Sequence, residues 1–290
     1  MFQSFLWNIT AARVLGEREV PHVVFAESDH GSALIPAAVA NSRLSLIGEC
    51  MFDYRDVLTA GDPAVLKVAW SQAAALDLSF YAGAIRGDTN LASWSGFNLS
   101  RFYGAPLVSH RQITAADFAS QHGRLGRWKR RLEREAVNLR CHTGVNTELV
   151  RHIYRQKGAQ PEESGGSLFN DPKRVEFMVE ICRTMGALCE IFTFESAGGL
   201  VAALVTFRDG GVRRFYTVYF EAAWAKYSPG MVLIYEVTRQ SLQNSLDCDY
   251  MTGEHAYKMR FATSVTPMFW AEANTEMLGA FKQHRRVVAA

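Results

Sequence analysis

The stretch that decides the fold is residues 200–252, LVAALVTFRDGGVRRFYTVYFEAAWAKYSPGMVLIYEVTRQSLQNSLDCDYMT. It opens with nine almost uninterrupted apolar residues (200–208), the pattern of a strand buried on both faces. Asp209-Gly210-Gly211 is a hairpin signal, and the aromatic-rich 212–220 is the returning strand. Ser228-Pro229-Gly230 then predicts a helix start, with Ser as cap and Pro at the first helical position. The helix extends to about Ser245, with Met231, Ile234, Leu242 and Leu246 as its buried stripe. A short strand over 247–252 follows. Strand, helix and strand in this order form a crossover, so 247–252 should lie parallel to 212–220.

Upstream of this core, Asp171-Pro172 opens a helix carrying Val175, Met178, Cys182 and Met185 at helical spacing, with Gly186 able to end it. LCEIFTFE (188–195) reads as a strand and Ser196-Ala197-Gly198-Gly199 as a turn. Downstream, 265–273 is a last strand and 275–286 a terminal helix. The first half has the same order of elements: strands at 22–28, 32–39 and 43–49, a helix opened by Asp62-Pro63 and running to about Ala75, and a strand at 77–85. The displacement is roughly 166–170 residues, so the chain reads as an architectural repeat with little sequence likeness between its halves.

Between the halves, 124–140 (RLGRWKRRLEREAVNLR) places Leu125, Trp128, Leu132, Ala136 and Leu139 on one stripe of a helix. Its seven basic and two acidic residues give it a net charge of +5, while the whole chain of 290 residues carries only +2. The helix reads as a solvated face, or as a surface for an acidic acceptor or for tRNA. Gly158–Asn170 reads as a mobile surface loop.

Composition narrows the class. With 48% hydrophobic and 21% charged residues, the chain is globular rather than disordered. Five cysteines (Cys50, Cys141, Cys182, Cys189 and Cys248) without Cys-x-x-Cys point to reduced, mostly buried thiols. The eight histidines are scattered without His-x-x-x-His, so no metal is expected. MFQSFLWNIT lacks the layout of a secretory signal, and no apolar run approaches the roughly 20 residues of a membrane span. The expectation is a soluble cytoplasmic protein, with a homodimer left open.

Two segments can carry chemistry. A helix start such as Ser228-Pro229-Gly230 presents unpaired N–H groups to a phosphate. Asp249-Tyr250-Met251-Thr252-Gly253-Glu254-His255-Ala256-Tyr257-Lys258 collects ionisable side chains around a glycine just after a strand. Glu254 or His255 suits a proton acceptor, Tyr257 a donor and Lys258 an anion partner. Asp249 and Lys258 are alternatively a structural pair.

Tyr227-Ser228-Pro229-Gly230-x-x-Leu233, then Asp249-x-x-x-Gly253, then Tyr257-Lys258 resembles the acetyltransferase domain of the GNAT superfamily found in CelD-like cellulose-biosynthesis proteins. That group is similar in turn to the Fem-type aminoacyl transferases, which carry two GNAT-like halves. The Asp209-Gly210 hairpin and the helix with Arg130-Arg131-Leu132-Glu133 fit the same pattern, which covers about 124–263. The first half follows in element order and in Phe52-Asp53-Tyr54-x-Asp56.

The resemblance implies an α/β tandem GNAT-like fold with two mixed sheets flanked by helices. Residues 1–123 would form an acceptor-side half and 124–290 the acyltransferase half, with a parallel strand pair splaying between 212–220 and 247–252. It implies acyl-CoA, with acetyl as the expected acyl group, as co-substrate in that opening, near Thr217, Val218, Tyr227, Ser228, Gly230 and Met231. The usual Arg/Gln-x-x-Gly-x-Gly/Ala loop is here Ala225-Lys226-Tyr227-Ser228-Pro229-Gly230, which keeps one glycine; the first half has Asp62-Pro63-Ala64 instead. The implied reaction is direct attack of an amine on the thioester. A backbone N–H near Tyr216–Val218 would steady the oxyanion, with Tyr216 and Tyr219, on opposite strand faces, as further proton carriers. Cys248 reads as a small buried strand residue rather than a nucleophile. The acceptor would be a small-molecule or sugar amine, with or without phosphate, or a surface-polymer precursor. The alternatives are a tRNA-dependent aminoacyl transferase of Fem type and a non-catalytic scaffold of polysaccharide biosynthesis. The missing sustained heptads of a coiled-coil arm count against the tRNA reading.

Overall fold

The computed structural model describes residues 1–48, 51–91, 96–160 and 167–283. Cys50, His284 and residues 161–166 of the loop expected between Gly158 and Asn170 lie outside these residues. Two compact units emerge: Met1–Gly104 together with the chain from Thr266 onward, and Ala105–Val265. The expected division at 123/124 differs from this at both ends. The 105–123 segment packs with the second unit, and the last strand and helix rejoin the first.

In chain order the elements are α1 (Phe5–Leu15), β1 (Val20–Ser28), β2 (Gly31–Ala40), β3 (Arg43–Leu46), β4 (Leu58–Gly61), α2 (Val65–Ala73), β5 (Phe80–Arg86) and β6 (Asn98–Val108). They continue with α3 (Ala115–Gln121), α4 (Gly123–Arg134), β7 (Asn138–Thr143), α5 (Thr147–Ala159), α6 (Pro172–Met185), β8 (Cys189–Ser196), β9 (Gly199–Asp209), β10 (Val212–Phe220) and α7 (Pro229–Gln243). β11 (Asp247–Asp249), α8 (Ala256–Phe261), β12 (Ser264–Ala273) and α9 (Thr275–Gln283) complete the chain.

In the first unit the strands run β1-β2-β3-β5-β12, with β4 also on β2. β3 and β5 are parallel, with Leu44 opposite Phe80, because α2 carries the chain across between them. Trp70 of α2 meets Phe80 and Phe97 edge-on, at 5.1 and 4.8 Å between ring centroids. The Phe52-Asp53-Tyr54-x-Asp56 segment is structural. Phe52 and Tyr54 pack on Phe2, and the Asp56 carboxylate accepts the N–H groups of Asn90 and Leu91 at 3.1 and 2.9 Å.

In the second unit the order is β6-β11-β10-β9-β8-β7. The crossover reads as expected: β10 and β11 are parallel, with Val212, Arg213 and Arg214 opposite Asp247, Cys248 and Asp249. α7 covers one face through a core of Val232, Leu233, Val237, Phe215, Leu204 and Phe192. Asp171 caps α6 by accepting the Lys173 N–H at 3.0 Å, and Gly186 ends it at φ 56°.

The basic helix is shorter than expected. It ends at Arg134, Ala136 turns left-handed (φ 57°), and Leu139 belongs to strand β7 rather than to the helical stripe. The expected loop is also not all loop. Gly158 and Ala159 close α5, and Phe169 folds back onto Tyr154 with ring centroids 4.6 Å apart.

Candidate functional site

β10 and β11 stay bonded for only three residue pairs, ending at Arg214 opposite Asp249, while β10 runs on to Phe220. One guanidinium anchors the point of divergence. Arg214 bonds the buried Asp249 carboxylate at 2.5 Å and Asp209 at 2.8 Å. Asp249 also accepts the Met251 N–H at 2.8 Å, which turns the chain away from the strand. Among the described residues, β10 beyond Arg214 has no register partner on its β11 side.

A register shift between Phe215 and Thr217 makes Tyr216 a bulge residue against β9. The shift inverts facing. Thr217 and Tyr219 stand opposite Val205 and Ala203, and Tyr216 contacts Phe207, which shares their face two residues on. Tyr216 and Tyr219 therefore lie on one face of β10, not on opposite faces. It is the side of α5, where Thr217 accepts a hydrogen bond from Tyr154 at 3.2 Å. Tyr219 is spent as a donor to Glu221 at 2.6 Å, and burial with that neighbouring charge pushes its phenol upward. Val218 faces α7, within 3.2 Å of where a Cβ on Gly230 would stand.

The start of α7 is open for a reason the sequence did not show. Ser228 is left-handed (φ 48°, ψ 49°) and its hydroxyl caps nothing, contrary to the expected role. The Ser228 carbonyl accepts from Val232, while the N–H groups of Gly230 and Met231 have no partner among the described residues. A side chain at Gly230 would also press on Phe220, at 3.3 Å. Beside this start, Tyr227 donates to Glu135 at 2.7 Å, and Lys226 sits over the Tyr227 ring at 4.9 Å. A bare helix start with two free N–H groups, pressed against a strand edge by a glycine, fits a phosphate group.

The 249–258 segment is held from below. Gly253 has φ 111°, and a Cβ there would come within 3.1 Å of the His255 ring. Lys258 is buried and donates to the Thr252 carbonyl at 2.7 Å. Glu254 and His255 are exposed, and His255 stacks on Tyr257 at 6.0 Å between centroids. Burial, then the Lys258 charge, lowers the His255 pKa, so its imidazole is neutral at pH 7. Burial alone pushes Tyr257 up to about 12, so it keeps its proton. A neutral imidazole beside a protonated phenol makes an acceptor and a donor available together.

Thus the structure brings His255, Tyr257 and Lys258 together and sets Tyr216 and Tyr219 on the α5 side of β10. Cys248 is buried, with its thiol pushed up to about 12 by burial, which leaves no thiolate for a nucleophile. Among the described residues, no group of three or more His, Cys, Asp or Glu side chains is disposed to hold a metal ion, and no helix is long and apolar enough to cross a membrane. Arg214, the anchor of the divergence, was missed from the sequence; its local signal is a pair of charges, Arg213 and Arg214, inside an aromatic-rich strand.

Residues 119–259 match the family model described as Acetyltransferase (GNAT) domain. No curated protein matches the chain. Among solved structures, a C-terminal domain assigned to a lysylphosphatidylglycerol synthetase of Agrobacterium fabrum superposes with a TM-score of 0.62 at 11% identity, covering 97% of this chain and 96% of that one. FemX superposes with a TM-score of 0.59 at 6% identity, covering 93% and 91%. A tandem GNAT protein from the clavulanic acid biosynthesis pathway gives 0.50 at 10% identity, covering 90% and 86%. At these identities the superpositions show a shared fold.

Proposed function

The chain belongs to the GNAT superfamily and has Fem-like structural relatives; on that premise we propose that it is an N-acyltransferase that moves an acyl group from acyl-CoA directly to an amine. One observation carries the reading. The β10–β11 pair stops at Arg214 and Asp249, and the unbonded N–H groups of Gly230 and Met231 stand at the start of the helix that joins the two strands. A pyrophosphate on that helix start would leave its thioester arm free to enter the divergence.

In this reading the β10 backbone at Tyr216–Val218 orients the thioester carbonyl and receives the developing oxyanion. His255 takes the proton from the attacking amine, with Glu254 as the alternative acceptor. Tyr257 returns a proton to the departing thiolate, and Lys258 fixes the loop that carries them. Thr217 and Tyr227 wall the opening. Tyr219 contributes through packing rather than proton transfer. The acceptor is a small-molecule or sugar amine, with or without phosphate.

Titration calorimetry with acetyl-CoA tests the donor, and thiol release in the presence of an amine panel tests the transfer. Binding of acetyl-CoA and acceptor-dependent release of CoA are expected. Failure of acetyl-CoA, longer acyl-CoAs and free CoA alike to bind would sink the reading, and aminoacyl transfer from charged tRNA would replace it.

A further inference from the structure

α4 exposes an arginine row. Arg124, Arg127, Arg131 and Arg134 recur at spacings of three and four, so they share one face over about 15 Å of helix. All four are exposed, and none has an ion-pair partner among the described residues. The opposite face of α4 is anchored by the buried Leu132 and by Lys129, which reaches the buried Glu236 of α7 at 3.4 Å. The row is therefore held rigidly against the helix that starts the proposed donor site.

The row also adjoins that site. Tyr227, next to Ser228, bonds Glu135 at 2.7 Å, and Arg131 precedes Glu135 by one helical turn, roughly 5–6 Å between Cβ atoms. Lys226 adds a second exposed cation over the Tyr227 ring. We propose that Arg131 and Lys226 bind the 3′-phosphate on the ribose of the CoA donor, an inference that rests on the donor reading above. The helix start offers two N–H groups and a partial charge, enough for a pyrophosphate oxygen. A phosphomonoester a few ångströms further out carries close to two negative charges, and only a guanidinium or ammonium supplies the matching charge there. A lipid surface fits less well. None of the large, strongly exposed apolar side chains lies on α4, so nothing on that face would enter a bilayer.

Calorimetry with acetyl-CoA and with 3′-dephospho-acetyl-CoA tests this, on the full chain and on Arg131→Gln and Lys226→Gln, with Arg155→Gln as a charge control on α5. The wild type should prefer acetyl-CoA by roughly tenfold. Arg131→Gln should remove most of that preference by weakening acetyl-CoA alone, Lys226→Gln a smaller part of it, and Arg155→Gln none. Unchanged melting temperatures would show that these exposed substitutions leave the fold intact.

Equal binding of the two ligands by the wild type, or equal weakening of both in Arg131→Gln, overturns the inference and leaves the donor reading standing. No binding of either ligand removes the donor reading and the inference with it. Steeply salt-dependent tRNA binding that Arg131→Gln abolishes, without acetyl-CoA binding, overturns the inference and gives the row to a polynucleotide.

Discussion

The two crossovers of this chain have the same architecture and opposite helix starts. In the first unit α2 joins the parallel β3 and β5, and in the second α7 joins the parallel β10 and β11. At α2 the donors are already used. Asp62 accepts the Ala64 N–H on its carboxylate at 2.8 Å, and the carbonyls of Asp62, Pro63 and Ala64 accept from Val65, Leu66 and Lys67. A phosphate arriving there would meet a carboxylate and no free N–H. At α7 the left-handed Ser228 leaves Gly230 and Met231 open. The lesson is that a repeated fold does not repeat a site. One carboxylate and the carbonyls of a tight first turn decide whether a helix start binds an anion or repels it.

The largest expected effect lies in the loop that only the second unit equips with a His and a Tyr. His255→Ala should lower kcat by roughly 100-fold or more without changing acetyl-CoA affinity, in line with the usual range for a general base. Wild-type turnover should be flat near neutral pH and fall on the acid side. Protonation silences the acceptor, and the lowered pKa of His255 places that fall below the ordinary histidine value of 6.5. Tyr257, at about 12, contributes no alkaline limb in the accessible range. Both curves are read from a thiol-release assay, and an unaltered rate in His255→Ala would transfer the role to Glu254.

Next comes the helix start itself. Gly230→Val drives a side chain into Val218 and Phe220 and should weaken acetyl-CoA at least roughly tenfold in calorimetry. Retained affinity would break the contrast between α7 and α2. Lys258→Met separates chemistry from support. It removes the Lys258 hydrogen bond to the Thr252 carbonyl, so a loss of about 1–3 kcal/mol should appear in thermal or urea unfolding. Lost turnover at an unchanged melting temperature would instead make Lys258 a participant. Smallest is Asp62→Ala, which frees the Ala64 N–H just ahead of α2. Stability should fall by about 1 kcal/mol with donor affinity unaltered.

Much of the second unit was legible because its signals are local. The Asp209-Gly210-Gly211 turn, the apolar run of β9 and the Pro at the first position of α7 each act within a few residues, and together they set the antiparallel strands and the parallel crossover. The candidate loop was legible for the same reason, since Gly253, His255, Tyr257 and Lys258 are neighbours in the chain. Less was readable where a strand is polar or half-exposed. β7, NLRCHT, has no buried residue to reveal a period of two, so it read as the tail of a basic helix. β6 mixes exposed and buried halves and includes Pro106, which obscures it in the same way.

By itself, then, the sequence determined the element types from α6 to β11, the parallel crossover and the cluster after it, because turn chemistry, helix starts and apolar periodicity operate over short spans. Tertiary structure alone decided the rest. It placed the bulge at Tyr216 that turns Thr217 and Tyr219 to the α5 side, and the Arg214–Asp249 bond where two strands part company. It left Ser228 without a capping role and returned β12 to β5, with Met268 opposite Arg86. Each of these depends on contacts between residues far apart in the chain, or on a backbone angle that packing imposes, and neither is written in the identity of any single neighbour.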